Sequence, residues 1–536
     1  MFDNLRRVSR QLLAYGTADA AVLAVNVVLL PVYTRVLQPA EYGALALLLV
    51  FEAVLKPTLR CGLDSAYLRL YFDYPQKDDQ RALAKTVLVF ILALNSAALV
   101  LLWPLSAWLT RMVVRDVQYV SALQLVALNT GLSNLAFLPL CLFRVQERSS
   151  LVGSLTFLRS FSTVVVRLVL VVGFRQGVFG LALADVIVTS VLVFGLTPTL
   201  VSMIGGTFSR PMIRALLRYG FPQVPQGLLS QVMSMSDRYV LGMFLPLRDL
   251  GVYSIGSTMA SVLKLYPVAF ESAWMPFAFS SLKRRDATAV FSRMASYAFA
   301  VLCFAALGIV LLAEPATRLV LPASYQRAPD VVPLLALGIT IQAAAWFMAT
   351  SINVAKRTSR YPIATAVGAV ASLLGSLALI PRFGVMGAAA GVVCGQLALT
   401  MATAWFAQRY YPIPYEASRL AKTLATTSGL VAIGLLVRGS MPGWNLVEAV
   451  ALLAAYPVIL LAVRFLQPWE ADAIRQFLHA RGSGARRQTP DELRPESVES
   501  RSDDLGSIGM EAGSSDNPRS IGMKAGSSDP ADPGRR

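Results

Sequence analysis

The sequence predicts an all-α membrane protein that crosses the bilayer about fourteen times. Three observations carry this prediction: long apolar segments through the first 466 residues, basic side chains in every second link, and an internal repeat of six spans. Of the 536 residues, 55% are hydrophobic and 15% are charged, against about 25% charged in an average soluble domain. Helices are expected because a backbone in lipid must satisfy its own hydrogen bonds.

Each predicted span is a mostly apolar segment of about 20 residues, enough to cross the hydrocarbon core. Links on the amino-terminal side of the membrane hold roughly 22 Lys and Arg residues and the opposite links roughly 9, a bias that marks the cytoplasmic side. We therefore expect a multi-pass protein of the cytoplasmic (inner) membrane with both termini in the cytoplasm. The spans are predicted near residues 12–34, 43–66, 84–105, 117–143, 151–173, 178–200, 219–245, 251–279, 293–313, 331–353, 361–381, 384–407, 420–437 and 446–466.

The internal repeat has a shift of about 208 residues. QPAEYGALAL from Gln38 resembles PLRDLGVYSI from Pro246, which superposes Gly43 on Gly251. QGVFGLALA and FGVMGAAAG form a second match at nearly the same shift, and QERSS and AKRTS form a third. The shift covers six predicted spans, an even number, so both copies face the same way across the membrane. A pseudo-two-fold axis along the membrane normal, with a substrate site between the halves, favours alternating access.

This repeat divides the chain into four parts. We predict an N-terminal six-helix bundle over residues 1–205 and a C-terminal six-helix bundle over residues 206–410. Two additional helices follow over residues 411–466. Residues 467–536 are rich in Ser, Gly, Pro, Asp and Arg and are predicted to form a mostly disordered cytoplasmic tail.

Ionisable residues inside spans are the candidate functional groups. Insertion scales give a cost of about 2.5–3.5 kcal/mol for each at the helix centre, so they usually face a cavity or a partner. The candidates are Asp19, Glu52, Lys56, Arg60, Asp64, Arg159, Arg167, Asp185, Asp237, Arg238, Lys264 and Glu271.

The second span carries four of these residues at every fourth position. Glu52, Lys56, Arg60 and Asp64 therefore form one polar stripe along a helix face. One interpretation is that the stripe neutralises itself through pairs four residues apart. The other is that a continuous stripe facing one way contacts a passing substrate.

Two lysines occupy matching places in the repeat. Lys56 and Lys264 are 208 residues apart and lie near the middle of their spans. Each could be an internal pairing residue, since Glu271 lies seven residues after Lys264 on a similar face. Alternatively, the two halves present a lysine each, at the same depth, to an anionic group such as a phosphate.

The sequence thus gives two sets of predicted site residues. Lys56, Lys264, Arg60, Arg167 and Arg238 are predicted to bind substrate. A second set is predicted to act in ion coupling or charge pairing, comprising Asp19, Glu52, Asp64, Asp185, Asp237 and Glu271.

No catalytic residue, metal or cofactor is predicted. The four cysteines lie in or at the ends of apolar segments without a CxxC pair, which indicates packing residues. The only histidine, His479, lies in the tail. No link is long enough for a catalytic domain, and no nucleotide-binding loop is present, so we expect a protein that is not an enzyme.

Several ordered motifs resemble one family. LPVYTRVLQPAEYGALALLL from Leu30 resembles the first-span exit of polysaccharide flippases of the Wzx-like branch, in the multidrug/oligosaccharidyl-lipid/polysaccharide exporter superfamily. GLDSAYLR from Gly62, DRYVLGMF from Asp237, and the segments WMPF and PRFGVMGAAA are similar to further parts of that family. The resemblance covers about residues 10–410.

This resemblance implies two six-helix bundles, usually with two more helices. It also implies transfer of an oligosaccharide, linked to a polyprenyl diphosphate, from the cytoplasmic to the outer leaflet through a cationic cavity. The expected partners are the lipid-linked oligosaccharide and the bilayer, with other polysaccharide-assembly proteins as further candidates and no nucleic acid. Lys56, Arg60 and Lys264 are the candidate headgroup contacts by position and chemistry.

Two alternative functions remain open from the sequence. A multidrug or cation antiporter of the same superfamily would need a cavity with unpaired acids and many aromatic side chains. A peptidoglycan-precursor lipid flippase would use the same mechanism on a different glycan.

Overall fold

A computed structural model of the protein describes residues 29–204, 206–282, 286–437 and 445–465. Asp19, most of the predicted first span and the predicted disordered tail lie outside the described residues. Within the described ranges the chain is helical and contains no strand.

The helices follow the order that the sequence predicts. They comprise residues 29–36 (α1), Pro39–Arg60 (α2), Leu63–Leu70 (α3), Lys77–Val113 (α4), Val120–Val145 (α5), Ser149–Leu168 (α6), Gly177–Met203 (α7), Arg210–Gly220 (α8), Val224–Phe244 (α9), Leu247–Ser261 (α10), Leu265–Ser281 (α11), Ala287–Val320 (α12), Val332–Val354 (α13), Tyr361–Phe383 (α14), Val385–Tyr410 (α15), Ala417–Val437 (α16) and Asn445–Ala462 (α17).

Ten helical stretches in the described part of the chain are long and apolar enough to cross a membrane. This confirms the all-helical membrane fold, while the count of fourteen spans stays a prediction. The predicted seventh and eighth spans correspond to α9 and to α10 with α11, which do not reach that criterion because polar residues and a break interrupt them.

Local signals explain where α2 begins and ends. Pro39 occupies its first turn, and the Glu41 carboxylate accepts the Gln38 backbone N–H at 2.8 Å, which satisfies a free amide of the first turn. The helix ends where Cys61 and Gly62 adopt positive φ angles of 53° and 68°, a left-handed conformation typical of helix termini.

In the second half, the helix equivalent to α2 is broken in its middle. A 3₁₀ turn over Val262–Lys264 separates α10 from α11. Pro267 follows this turn and has no N–H to donate to the carbonyl of Leu263, so a regular helix would lose a hydrogen bond there. The two repeats therefore share a register but differ in backbone geometry at the position of the second lysine.

The two halves pack against each other where α2 crosses α10. A methyl group added at Gly43 would lie 2.9 Å from the carbonyl carbon of Leu247, and one added at Gly251 would lie 2.7 Å from that of Pro39. The pairs Gly43/Gly251 and Pro39/Leu247 are each 208 residues apart, so the contact is reciprocal. This crossing, which we call the Gly43 end, is what a two-fold axis between two repeats predicts.

Tyr325, from the segment between α12 and α13, reinforces the Gly43 end. Its hydroxyl donates to the carbonyl of Leu37 at 2.9 Å, and its ring lies edge-on to Tyr42 at 6.4 Å between centroids. Tyr325 is fully buried. Side chains of the second half thus cover α1 and α2 at this end.

A second contact closes the opposite end of α2. A methyl group at Gly62 would lie 2.6 Å from the carbonyl carbon of Gly220, and the Ser65 hydroxyl donates to the Gln223 side-chain oxygen at 2.7 Å. We call this region the Gly62 end. Helix α8, which lies between the predicted sixth and seventh spans, leads into it and packs Met212 and Leu216 against α3 and α4.

The two additional helices pack on α12 rather than between the halves. Helices α16 and α17 contribute Leu430 and Tyr456 to a cluster with Cys303 and Leu307 of α12. The Tyr456 hydroxyl donates to the carbonyl of Ala300 at 2.8 Å. In the described residues these helices therefore extend the second bundle.

Candidate functional site

The polar stripe of α2 lies among charged groups of the N-terminal half. The Lys56 ammonium is within electrostatic range of Glu52 and Arg60 on its own helix, and of Arg159 on α6 and Asp185 on α7. Lys56 and Glu52 are half-buried, and neither makes a hydrogen bond or ion pair within the described part of the chain. The predicted self-neutralising pair between them is therefore not formed in this structure.

Arg60 is held in a fixed position. Its guanidinium lies 3.8 Å from the Asp64 carboxylate, donates to the Asn134 side-chain oxygen at 3.3 Å, and sits 5.2 Å from the centroid of the Phe137 ring. Asn134 in turn donates to Asn95 at 3.1 Å. This amide pair orients the arginine from two further helices.

Two arginines of α6 have different environments. Arg159 donates to the hydroxyls of Ser133 and Thr189 at 3.1 and 3.2 Å, so it is hydrogen-bonded but not neutralised by a contacting acid. Arg167 makes two hydrogen bonds to Asp185, at 3.0 and 2.7 Å. Such a two-pronged pair leaves little free charge, so Arg167 is better placed for structure than for binding.

In the C-terminal half, Lys264 faces a small polar cavity of about 60 Å³. Asp237 and Arg238 lie within electrostatic range of its ammonium. Asp237 is buried and accepts the Tyr253 hydroxyl, while its other oxygen has no partner among the described residues. Arg238 donates to Ser257 at 3.1 Å, so the adjacent acid and base bond to other groups and not to each other.

Glu271 lies in a different cavity from Lys264, so the proposed pairing between them is absent. This larger space, which we call the aromatic cavity, has a volume of about 440 Å³ and lies between α9, α11, α13 and α14. Its lining is Gln226, Tyr266, Pro267, Phe270, Glu271, Trp274, Met275, Ala343, Trp346, Phe347, Ala349, Asn353, Tyr361 and Thr365.

The lysines thus occupy equivalent positions in separate clusters. Pro39 and Leu247, the first residues of α2 and α10, are separated by the same 208 positions as Lys56 and Lys264, so the matched register holds. Each lysine, however, lies among groups of its own half. Contact of both with one substrate stays a prediction.

The chemistry of the first cluster suits an anion. Arg167 is paired with Asp185, and Arg60 lies 3.8 Å from Asp64, so Lys56 and Arg159 are the cations of this cluster without a contacting acid among the described residues, with Glu52 in electrostatic range of both. Guanidinium and ammonium groups in a partly dehydrated site bind phosphate oxygens well. In the described residues, no group of three His, Cys, Asp or Glu side chains could hold a metal ion.

Sequence reasoning missed the uncharged members of these clusters. It considered only ionisable residues, whereas Asn95 and Asn134 connect Arg60 to two further helices. Amides within apolar segments were a usable signal, because an unpaired polar group in hydrocarbon is costly. The aromatic cavity could not be found from spacing, since it joins four helices.

The fold is similar to that of several solved transporter structures. The chain superposes on a solved structure described as the lipid II flippase MurJ in an inward closed conformation, with a TM-score of 0.64 and 12% identity, over 83% of this chain and 98% of that one. A multidrug resistance MATE family transporter of the MOP superfamily, in an inward-facing conformation, matches with a TM-score of 0.60, 13% identity, and 76% and 96% coverage. An outward-facing structure described in the same terms gives a TM-score of 0.53, 14% identity, and 75% and 95% coverage.

The family model described as "Polysaccharide biosynthesis protein" matches residues 32–330, more than half of the chain. The protein belongs to this family. No curated protein sequence matches it significantly. The family and the fold agree with the exporter superfamily indicated by the sequence motifs.

Proposed function

We propose that this protein is a flippase that moves a polyprenyl-diphosphate-linked oligosaccharide from the cytoplasmic to the outer leaflet by alternating access. The observation that carries the proposal is that Lys56, half-buried in the helix bundle near Glu52, Arg60 and Arg159, makes no hydrogen bond or ion pair among the described residues. An ammonium in a membrane interior without a contacting acid is costly unless it faces water or an anionic ligand. A diphosphate headgroup supplies that anion, and membership of the polysaccharide biosynthesis family supports a glycan cargo.

Alternating access requires the halves to separate at one end while staying closed at the other. The Gly43 end and the Gly62 end provide two such contacts at opposite ends of α2, the first with α10 and the second with Gly220 at the end of α8. By the bias of basic links, the Gly43 end faces the outer leaflet and the Gly62 end faces the cytoplasm. Lys56 and Lys264 lie between them and would meet the headgroup midway.

Ion coupling belongs to the same proposal. Asp237 is the strongest candidate because it is buried and one of its oxygens has no partner among the described residues. Glu52 and Glu271 are further candidates, as each is free of a contacting base in the described structure. A carboxylate of this kind can take up a cation or proton as the halves move.

The test is transport in proteoliposomes with a fluorescent polyprenyl-diphosphate glycan and an impermeant quencher. Lys56→Ala and Lys264→Ala are expected to slow movement at least 10-fold while inserting normally, because each removes one charge-assisted contact worth about 1.5–3 kcal/mol. Lys77→Ala, at the exposed start of α4, is the matched control and should move the probe at the wild-type rate. Wild-type rates in both lysine variants would overturn the role of these residues.

A second experiment tests the function directly in cells. Deletion of the gene should cause one lipid-linked glycan to accumulate on the cytoplasmic leaflet, and extraction with mass spectrometry would identify it. Accumulation of a peptidoglycan precursor instead would establish the alternative flippase. Unchanged lipid-linked glycans with increased sensitivity to organic cations would establish the antiporter.

A further inference from the structure

We propose that the aromatic cavity of the C-terminal half binds a sugar ring of the cargo, separately from the diphosphate. This inference rests on the proposed flippase function and assigns the sugars of the cargo to a cavity that is separate from both lysines. The cavity volume of about 440 Å³ is within the range of about 300–1,000 Å³ that small-molecule sites occupy.

The aromatic wall of the cavity comes from one helix. Tyr266, Phe270 and Trp274 follow each other every four residues along α11, with ring centroids 6.2 and 5.5 Å apart and nearly parallel planes. Phe347 of α13 meets Phe270 edge-on at 5.2 Å. These contacts fix the rings before any ligand arrives, which lowers the entropic cost of binding.

The rings are also held by hydrogen bonds to residues that do not line the cavity. The Tyr266 hydroxyl donates to the carbonyl of Ala298 at 2.9 Å, and the Trp274 indole N–H donates to Thr350 at 2.9 Å. Their polar atoms are therefore satisfied by protein. These residues contribute aromatic surface to the cavity, against which the C–H groups of a pyranose can rest.

Polar groups beside the aromatic wall of the cavity can accept hydrogen bonds from the hydroxyls of a sugar. Glu271 is exposed, follows Phe270 directly, and has no hydrogen bond or ion pair among the described residues. The side-chain oxygen of Gln226 is buried and has no partner in the described part of the chain. Asn353 accepts the Tyr361 hydroxyl at 2.9 Å. Two free acceptors beside an aromatic face suit a neutral polyhydroxylated ligand.

The charge of the residues that line the cavity disfavours binding of the diphosphate there. Among the described residues that line it, the cavity has one carboxylate and no cationic side chain. A diphosphate would be repelled by Glu271, whereas Lys56, Arg60 and Arg159 in the N-terminal half would attract it. The cargo would therefore lie across the bundle, with its headgroup toward α2 and its first sugars toward α11.

The experiment measures binding of two synthetic probes to the full chain in nanodiscs. The probes are decaprenyl diphosphate and the same lipid carrying one N-acetylglucosamine or glucose residue. Wild-type protein should bind a glycosylated probe about 10-fold more tightly than the bare diphosphate. Glu271→Gln and Trp346→Phe should reduce this preference about 5-fold or more and leave the affinity for the bare diphosphate unchanged.

Two controls match these changes. Asp78→Asn makes the same charge change on an exposed residue at the start of α4, and Trp405→Phe makes the same ring change at a side chain 60% exposed on α15. Both should keep the wild-type preference. Lys56→Ala should weaken both probes equally, since it acts on the diphosphate that they share.

The outcomes separate the two proposals. Binding of both probes with equal affinity, or a preference that Glu271→Gln leaves intact, would overturn the sugar site and leave the flippase proposal standing. Binding of tetraphenylphosphonium in the cavity, together with equal affinity for the bare and glycosylated probes, would assign the cavity to organic cations and would also overturn the sugar site. Binding of neither probe would overturn both proposals.

Discussion

The reciprocal glycine contact allows the sharpest test of alternating access. Alanine at Gly43 or Gly251 places a methyl group against the backbone of the opposing helix, 2.9 or 2.7 Å from a carbonyl carbon. Neighbouring backbone cannot rotate away as a flexible side chain could. Either substitution should therefore oppose closure of the Gly43 end and favour the conformation that is open there.

The expected magnitude follows from overpacking. Forcing a methyl group into a close-packed contact costs about 1–3 kcal/mol. A penalty of about 2 kcal/mol on the closed state would raise the ratio of open to closed molecules roughly 30-fold. Because the two contacts are reciprocal, the two substitutions should have effects of similar size and the same sign.

Accessibility of a single cysteine reports the open state. Tyr325 is fully buried at the Gly43 end, so Tyr325→Cys, in a background without the four native cysteines, provides the reporter. Labelling by an impermeant maleimide added to whole cells should be faster when either glycine is replaced by alanine. This experiment also tests whether the Gly43 end faces outward.

Matched controls use glycines where a methyl group meets nothing within 4 Å, namely Gly153, Gly195 and Gly429. Alanine at these positions should leave the labelling rate unchanged. The reasoning is refuted if the Gly43→Ala and Gly251→Ala proteins insert normally but label no faster than these controls. Opposite effects of the two substitutions would refute the two-fold relation.

Three further predictions concern stability, measured as thermal unfolding of the purified protein in detergent. Arg167→Met should cost about 3 kcal/mol by leaving Asp185 unpaired, and adding Asp185→Leu should recover part of that loss; an additive double loss would contradict this. Gly62→Ala should destabilise by about 1–3 kcal/mol because of its positive φ and its close contact at the Gly62 end, and an unchanged melting temperature would contradict it. Tyr253→Phe should cost about 1–3 kcal/mol by leaving the buried Asp237 without its hydrogen bond, and wild-type stability of this variant would refute that expectation.

Much of the fold could be predicted because bilayer physics constrains it strongly. Apolar length sets the helices, and the repeat shift placed Gly43 on Gly251 before any contact was known. The sequence could not show that these two glycines touch each other, because a repeat defines equivalence and not proximity. Nor did it identify α8, whose apolar residues are too few to register as a span yet pack against α3 and α4.

The site was predicted less completely. Lys56 and Lys264 lie at the same distance from the starts of α2 and α10, as the repeat shift predicts, since register is local. Their depth in the membrane stays a prediction. Ion pairing depends on tertiary geometry, so the spacing of charged residues along the sequence did not predict which of them form ion pairs. Glu52 does not contact Lys56 despite a favourable spacing, whereas Arg167 and Asp185, on different helices, form a two-pronged pair.

The two halves share symmetry at the Gly43 end and differ in the chemistry that they enclose. The reciprocal glycines bring the backbones of α2 and α10 into close contact there, which is where the proposed alternating-access motion would open or close the protein. An identical interior would present two copies of the same site, which suits a symmetric ligand. A lipid-linked oligosaccharide is not symmetric, since it has a charged diphosphate at one point and neutral sugars beyond it. A cationic cluster on α2 and an aromatic wall on α11 are the two different surfaces that such a ligand requires, and the helix break at Lys264 is where the second copy departs from the first.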